Sequence, residues 1–573
     1  MATMIAVAKK YLLGFADIPS VLGSKTLWGP TELESLSDSD LLKLRVEGDE
    51  KLTQQDYTGA VKLYTKCIER TIESESKELR MIFQAACSSR SECWLHLERW
   101  EDSLLDAKRV LQIDPSSVKA LLCKGRALQG MGEYNLAVAS LEAAVSLNPR
   151  DTATTEALDE AQKALKQSEE GVYDLSGFLL GGCLGPAPKC SDFIGPVEIQ
   201  YVPHAHRGVV ATRDMRPGTL ILVSNAIAVS RSPTEFWSDS RISRANYNEL
   251  IAQLSSQMKS SRRRMSQVCS LASTYYVGKS IPPMDMFKPG KDIEWNEFQK
   301  DMDKEQLGAV VRYNAFDAIK CTDPIPFGDV ETEFNTGSGT GISAFGVWAL
   351  PSFLNHSCSP NCSVMFVEKA MFVRASRDIA TGEELTIAYC NLYETMENRQ
   401  DSLKWWNFRC KCDRCRLEES LQQDPLEKLY DQHRRMLENG LVQEITTIVP
   451  QLERLILDLG LDAWAQNWLR APFIEAYTAG ILIHKDNDEE KIRAIHKALD
   501  IMRSVQGSDL SVLQLTSTLF RDVRRKHGDE SEDYEKTEKL FLHAAEATLG
   551  EYEKGFFLDL MDARLNPSNQ AFG

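Results

Sequence analysis

Two intervals of 34 residues recur near the N-terminus, from Trp100 to Tyr134 and from Pro115 to Pro149. Three aromatics are each followed three residues on by a small residue: Tyr57 by Ala60, Trp100 by Ser103 and Tyr134 by Ala137. Gly48 and Gly125 each stand nine residues before an aromatic. A shared phase of aromatic, small residue and proline is not what an unrelated helical bundle would show. It predicts stacked helix–turn–helix units from Leu41 onward, with a helix near Thr155–Gln167 covering the exposed face of the last one. Tyr57 and Trp100 are 43 residues apart, and the charged stretch Thr71–Glu78 is where the nine extra residues are expected.

This period resembles the tetratricopeptide repeat (TPR). The resemblance implies a concave groove that binds a protein partner. One subset of these repeats clamps acidic chaperone tails with Lys and Asn at fixed places. The matching positions here are Arg45, Asp49, Ser89, Lys119 and Cys123. Arg45 and Lys119 keep the charge, but Asp49 would repel a carboxylate and Ser89 is short. Another protein partner, or packing against the rest of the chain, is the expected use.

The chain has 573 residues, enough for three or four domains, and 43% of it is hydrophobic. Its formal net charge of −17 argues against a general nucleic-acid binder, which needs a basic surface to neutralise phosphates. Ser261-Arg262-Arg263-Arg264 is the local exception. It reads as a solvated helix face or loop, with nuclear import or docking as the alternative. No stretch is long and apolar enough to cross a bilayer, and the start lacks the layout of a signal peptide. The expectation is an intracellular protein of cytoplasm or nucleus, with no membrane partner. Most of the fourteen cysteines are scattered singly and fit burial in a reducing compartment.

Residues 169–195, with GFLLGGCLGPAPKC, read as a linker whose Cys183 and Cys190 are free thiols. Strands are expected in Gly218–Ser230 and on both sides of a turn at Glu368-Lys369. Charged helical sequence fills Pro233–Gly328, and DVETEFNTGSGTG reads as a mobile loop. After Cys415 the apolar spacing is helical, until a tail at NPSNQAFG.

One cysteine group is tight. Cys410, Cys412 and Cys415 offer three thiolates within six residues, surrounded by Arg409, Lys411, Arg414 and Arg416. Clustered exposed thiols would oxidise, whereas zinc takes four ligands in a tetrahedron. A fourth ligand must come from elsewhere, and Cys358, in FLNHSCSPNC, is the best candidate in the region. Four thiolates leave no open position, so the zinc would be structural. A Cys–His hydrolase is the competing use of Cys358, but no Asp or Asn partner is obvious for His356. Asn355-His356 is then left to hold something polar.

NHSCSPN, GEELTIAY and FRCKCDRC, in this order and spacing, resemble the closing half of a SET-domain protein lysine methyltransferase. RGVVATRDMRPGTLILV is similar to the opening strands of that fold. The match covers roughly Pro196–Arg416. From YNAF (Tyr313–Phe316) to the cysteines it most resembles the SMYD-like branch. The resemblance implies S-adenosylmethionine as methyl donor and a lysine of a protein substrate, histone or not, as acceptor. Asn355 and the backbone of His356 are expected to hold the cofactor, together with Asn314, Gly208 and Tyr389. Phe408 is expected on the adenine or beside the lysine channel. Tyr389 is expected near the transferring methyl, orienting the amine. A tyrosine hydroxyl with its ordinary pKa of about 10 suits that role better than proton abstraction.

The expected fold class is therefore α+β and multidomain. An N-terminal segment (1–40) precedes an all-α TPR solenoid (41–168) and the linker (169–195). A mostly-β SET and post-SET domain follows (196–416, with a helical insert at about 231–340), then a C-terminal helical region (417–573). Two departures from the family pattern stand out. His206-Arg207-Gly208 replaces Gly-x-Gly in the cofactor loop, keeping only Gly208, and a His206 side chain could crowd the backbone there. Residues 224–340 hold only Cys269 and Cys321, too few for a MYND finger. Two functions compete: a lysine methyltransferase whose repeats select its substrate, and a repeat-based adaptor with a weak SET scaffold.

Overall fold

The computed structural model describes residues 37–72, 74, 76–175, 188–203, 205–233, 242–273, 280–288, 300–317, 342–421, 424–484, 487–506 and 510–549. Residues 1–36, Cys183, Cys321, the loop at 329–341 and the tail at 566–573 lie outside the described residues. The chain divides into two compact units. One holds the chain through Glu170 with Ala252–Ser270 and Asp285–Asp303, and the other holds Gly171–Ile251, Leu271–Met284 and the chain from Lys304.

The first unit is TPR-like. Its helices are α1 (Asp38–Thr53), α2 (Tyr57–Thr71), α3 (Lys77–His96), α4 (Trp100–Ile113), α5 (Val118–Gly130), α6 (Tyr134–Leu147) and α7 (Thr152–Glu170). The three phased aromatics each open the second helix of a pair. Side-chain caps start several helices: Ser37 closes a capping box with Asp40, and the carboxylate of Asp56 accepts from the Gly59 amide at 2.8 Å. The phased glycines let paired helices approach. A Cβ on Gly125 would stand 2.5 Å from Leu141, and one on Gly48 would stand 2.7 Å from the Tyr64 ring. Eight of the nine extra residues between Tyr57 and Trp100 are helical rather than loop, since α3 runs for 20 residues where α5 runs for 13, and α2 for 15 where α4 runs for 14. Between these helices lies a buried charge network. Arg90 makes a fork onto Asp106 at 2.7 and 2.9 Å, and Arg109 reaches the same carboxylate at 2.8 Å.

The arginine run also belongs to this unit. It opens α9 (Arg262–Ser270), which follows α8 (Arg244–Ser260). Arg263 faces Glu133 at 3.8 Å, and the Glu101 carboxylate accepts from Ser261 beside Arg262. These arginines stand against acidic helix starts of the repeats.

The second unit carries the strands. Its main sheet has the order β1 (Phe193–Ile194), β4 (Leu220–Asn225), β10 (Ala370–Ala375), β9 (Cys362–Val367), all antiparallel. The expected β9–β10 hairpin is present, with Val367 opposite Ala370 and Glu368 at φ +53° in the two-residue turn. β2 (Val197–Gln200) pairs with β3 (Gly208–Ala211), and β7 (Ile342–Val347) lies between β5 (Ala228–Pro233) and β6 (Ala315–Asp317), which continues α10 (Lys304–Asn314). Trp348 is fully buried, and its indole N–H donates to the Lys369 carbonyl at 2.9 Å. Two short strands, β8 (Asn355–His356) and β11 (Thr386–Ile387), pair in parallel and bring two distant motifs side by side. After α11 (Met396–Leu403) and α12 (Asp413–Ser420), helices α13 (Asp424–Glu438), α14 (Val442–Ile445), α15 (Val449–Leu457), α16 (Ala463–Arg470), α17 (Ile474–Ile483), α18 (Asp488–Gln506), α19 (Leu510–His527) and α20 (Glu532–Leu549) complete the unit. Among the described residues, no helix is long and apolar enough to cross a membrane.

The Asp106 carboxylate is shared by two buried guanidiniums. Asp106→Ala strands both, and the expected loss is about 3–5 kcal/mol. A lower denaturant midpoint for the full-length protein, followed by helical circular dichroism, is the measurement. A midpoint unchanged from the parent would contradict the network's role.

Candidate functional site

Two motifs meet at the parallel pair β8–β11, where Thr386 lies opposite Asn355 and Ile387 opposite His356. Asn361, 1% exposed, clamps this junction. Its amide donates to the Glu384 carbonyl at 2.8 Å and to the Glu383 carboxylate at 2.9 Å, and its oxygen accepts from the Thr386 amide at 2.8 Å. Asn361, which closes NHSCSPN, is a site residue that sequence reasoning missed. The doubled acidic and asparagine pattern of the two motifs was its signal.

The Asn355 side chain is held on two sides. Its Nδ2 donates to the Arg207 carbonyl at 2.8 Å and to Glu384 Oε1 at 2.7 Å. Gly208 stands against the same pair: a Cβ there would lie 2.8 Å from Glu384 Oε1 and 2.9 Å from Asn355 Nδ2. The loop before it turns at His206, whose φ of +64° is the left-handed conformation that glycine adopts readily. The His206 side chain is exposed.

An aromatic wall stands beside His356, the neighbour of Asn355 in β8. The Tyr389 hydroxyl donates to the Leu354 carbonyl at 2.6 Å, which fixes the ring. Around Tyr389 stand Trp406 at 4.9 Å between ring centroids, His356 at 5.5 Å and Phe408, edge-on, at 6.4 Å. Phe408 is 38% exposed. Trp406, missed at the level of sequence, donates its indole N–H to the Tyr313 carbonyl at 3.1 Å and so fastens YNAF to the wall. Asn314 ends α10. Its amide hydrogens are committed to the Val310 and Ala272 carbonyls, both at 2.7 Å. His356 Nδ1 accepts from the Tyr389 amide at 3.0 Å. Its Nε2 then carries the proton and points at Cys358 Sγ, 3.2 Å away. Burial pushes the imidazole pKa down to about 4, keeping it neutral.

The four predicted thiols converge. Cys358, Cys410, Cys412 and Cys415 place their sulfurs within 4.8 Å of one another. A tetrahedron with Zn–S bonds of about 2.3 Å needs sulfurs roughly 3.8 Å apart, so the set fits a structural zinc ion. Donation from Cys358, Cys410 and Cys415 holds the Cys412 thiol far below the usual range, so it ionises first. Cys358 also lies in a second set with His356 and Cys390. Cys390, directly after Tyr389, was not singled out from sequence. Buried groups surround the sulfurs. Gln400 Nε2 donates to the Cys410 carbonyl at 3.0 Å and stands 3.4 Å from Cys415 Sγ, while the Cys410 amide donates back to Gln400 at 3.0 Å. Arg399 and Arg414, both with side chains fully buried, share Glu418. Such outer partners orient metal ligands and spread their charge.

In the repeats, the charged positions of the clamp comparison are already paired. Arg45 binds Asp49 at 2.9 Å, and the Tyr64 hydroxyl donates to the same carboxylate at 2.7 Å. Lys119 binds Glu92 at 2.8 Å. Cys123 is buried, and an incoming acidic tail would have to displace these ion pairs.

Purified protein is expected to carry about one zinc ion per chain, and Cys358→Ser to lose most of it. Elemental analysis of both proteins is the measurement. A wild-type preparation free of zinc, when made without chelator, would sink the four-sulfur site.

Residues 206–390 match the family model described as SET domain. A protein named "Methyltransferase" from Gibberella zeae is 23% identical over 414 residues, covering 70% of this chain and 54% of that protein. Histone-lysine N-methyltransferase SMYD3 of Homo sapiens is 44% identical over 75 residues, 13% of this chain and 18% of that protein. Histone-lysine N-methyltransferase SET5 of Yarrowia lipolytica is 41% identical over 111 residues, 18% of this chain and 25% of that protein. The chain thus spans about half or less of the curated relatives it matches. Among solved structures, the Arabidopsis OM64 TPR domain matches 22% of this chain and 98% of its own at 20% identity, with a TM-score of 0.20. The repeat assignment rests on the helix phasing above. By motif order, strand pairing and family match alike, the centre of this chain is a SET domain homologous to those of SMYD3 and SET5.

Proposed function

We propose that this protein transfers a methyl group from S-adenosylmethionine to the side-chain amine of a lysine in a protein substrate, and that its repeats hold a substrate or partner protein. The observation that carries this reading is the Asn355–Glu384–Gly208 clasp in the SET domain, joined through His356 to Tyr389, around which Trp406 and Phe408, just beyond the SET match, complete an aromatic wall. The cofactor, when bound, supplies a methyl group on a positively charged sulfur.

The chain's own residues meet what that chemistry needs. Attack is in line on carbon, so orientation and exclusion of water dominate the barrier. Asn355, its amide hydrogens held by Arg207 and Glu384, presents its amide oxygen from a rigid position. Gly208 leaves the space a Cβ would fill. The aromatic wall offers faces for a purine and a sulfonium, the latter through cation–π attraction. The Tyr389 hydroxyl proton is engaged by Leu354, so toward the lysine amine its oxygen acts as an acceptor that aims the nitrogen lone pair. This favours an orienting hydroxyl over a base. The four-sulfur site fastens the segment carrying Phe408 to the segment carrying Asn355.

Tyr389→Phe is expected to lower methyl transfer to proteins of a whole-cell lysate by about 10–100-fold, the worth of one to three kcal/mol, with cofactor affinity changed little. Scintillation counting with labelled cofactor gives the rate. Full activity in the variant would remove Tyr389 from the mechanism, and an inactive wild type that binds no cofactor would favour the adaptor reading.

The loop makes a second test. Gly208→Ala is expected to weaken binding of S-adenosylhomocysteine by about tenfold or more, because the new methyl meets Glu384 and Asn355. His206→Gly is expected to leave that affinity within about threefold, since relief of the left-handed backbone is offset by glycine's entropy. Titration calorimetry on both variants decides it. The reverse ranking would mean that the His206 side chain, not the Gly208 cradle, limits the cofactor loop.

A further inference from the structure

A second polar cluster lies outside the clasp, the wall and the sulfur site. His433, on α13, has a side chain only 1% exposed, and neither ring nitrogen has a hydrogen-bond partner among the described residues. Buried imidazoles without partners are rare, because each unmet polar group costs free energy. Its Nε2 points at Glu475 Oε2, 3.9 Å away, beyond hydrogen-bond reach. Phe473 walls the ring at 5.3 Å between centroids and Tyr430 at 6.3 Å. The Tyr430 hydroxyl donates at 3.2 Å to Glu394, five residues after Tyr389, and Asn398 donates to the same oxygen at 2.9 Å.

The cluster therefore holds two carboxylates, and no lysine or arginine among the described residues pairs with either. Arg434, whose charge reaches Tyr430, is engaged by Asp431 and Glu438. The Glu475 side chain is 44% exposed, so the cluster opens to solvent on its carboxylate side and has His433 as its floor. Burial, with the charge of Glu394 added, holds the Glu475 carboxyl above its ordinary range. A cation would relieve that repulsion, and it would give the imidazole lone pair a donor.

The geometry points to a recognition site in which Glu394, Glu475 and His433 receive a guanidinium or ammonium side chain of the protein substrate. The inference rests on the methyl-transfer reading for the identity of its ligand. A guanidinium suits it best: its planar donors span two carboxylates, and its face can lie on Phe473 or Tyr430.

The test uses the full chain with ¹³C-labelled histidine and agmatine as the guanidinium probe, read by NMR. Agmatine is expected to move the His433 resonance saturably, and Glu475→Gln or Glu394→Gln to weaken that binding by about tenfold. An unmoved His433 resonance would overturn the proposal and leave bound water as the partner of the ring. Selective loss of the His433 signal with manganese chloride, without an agmatine shift, would overturn it in favour of a metal. Equal agmatine affinity in both variants would overturn it as well. In turnover with core histones, Glu475→Gln is expected to raise KM several-fold with kcat and S-adenosylhomocysteine affinity unchanged; an unaltered KM counts against substrate recognition. The agmatine titration needs no turnover. A protein that binds agmatine at His433 but methylates nothing would discard the methyl-transfer reading and keep the cation site.

Discussion

Four sulfurs from two distant stretches of chain meet at one point, and the order of the central site depends on that meeting. Cys358 stands two residues after β8, while Cys410 and Cys412 lead into α12 and Cys415 lies in its first turn. Between the last tryptophan of the wall and the first of these cysteines there are only three residues, so the position of the sulfurs limits where Trp406 and Phe408 can stand. The surrounding charges explain why the arrangement holds. Four thiolates around a divalent ion carry a net negative charge, and two fully buried guanidiniums with one carboxylate carry a net positive one. Each group would be costly to bury alone. Arg414 extends the connection outward: it donates to the Leu392 carbonyl at 2.8 Å and, at 3.4 Å, to the carbonyls of Cys358 and Trp468, the last in α16.

Local signals in the sequence were readable. Proline, aromatic and small residues at one period mark the repeats, and apolar alternation about Glu368-Lys369 marks the hairpin. Metal chemistry made Cys358 legible as well, since three thiolates demand a fourth. What could not be read are contacts whose partners lie far apart and whose residue types are common. Asn361 and Glu384 look like turn residues until β8 and β11 pair. Trp406 looks like core until it covers Tyr389. The spacing of 43 residues in the first repeat shows the presence of extra chain but not its form, because a charged stretch suits a surface loop and an exposed helix turn equally. His206 shows another limit: a sequence does not tell that the residue at a glycine position keeps the left-handed backbone, with its side chain exposed.

The repeats illustrate how charge placement narrows a partner class. A groove that displays free lysine attracts carboxylates. Here Arg45 and Lys119 are each neutralised within the unit, so affinity for a partner must come from shape, apolar contact or exchange of ion pairs. That fits a chain whose overall charge is strongly negative and whose basic run is itself placed against acidic residues.

That basic run bears on how the polypeptide can be dissected. The two compact units are not consecutive stretches, for the chain leaves the repeats at Glu170 and contributes Ala252–Ser270 and Asp285–Asp303 to them again later. A fragment ending at Glu170 would leave Glu133 without Arg263, and Glu101 without its bond from Ser261. Excising the central segment on its own would tear out part of its neighbour's fabric. The molecule is interlaced along its length, and single-cut truncation is the wrong tool for separating its parts.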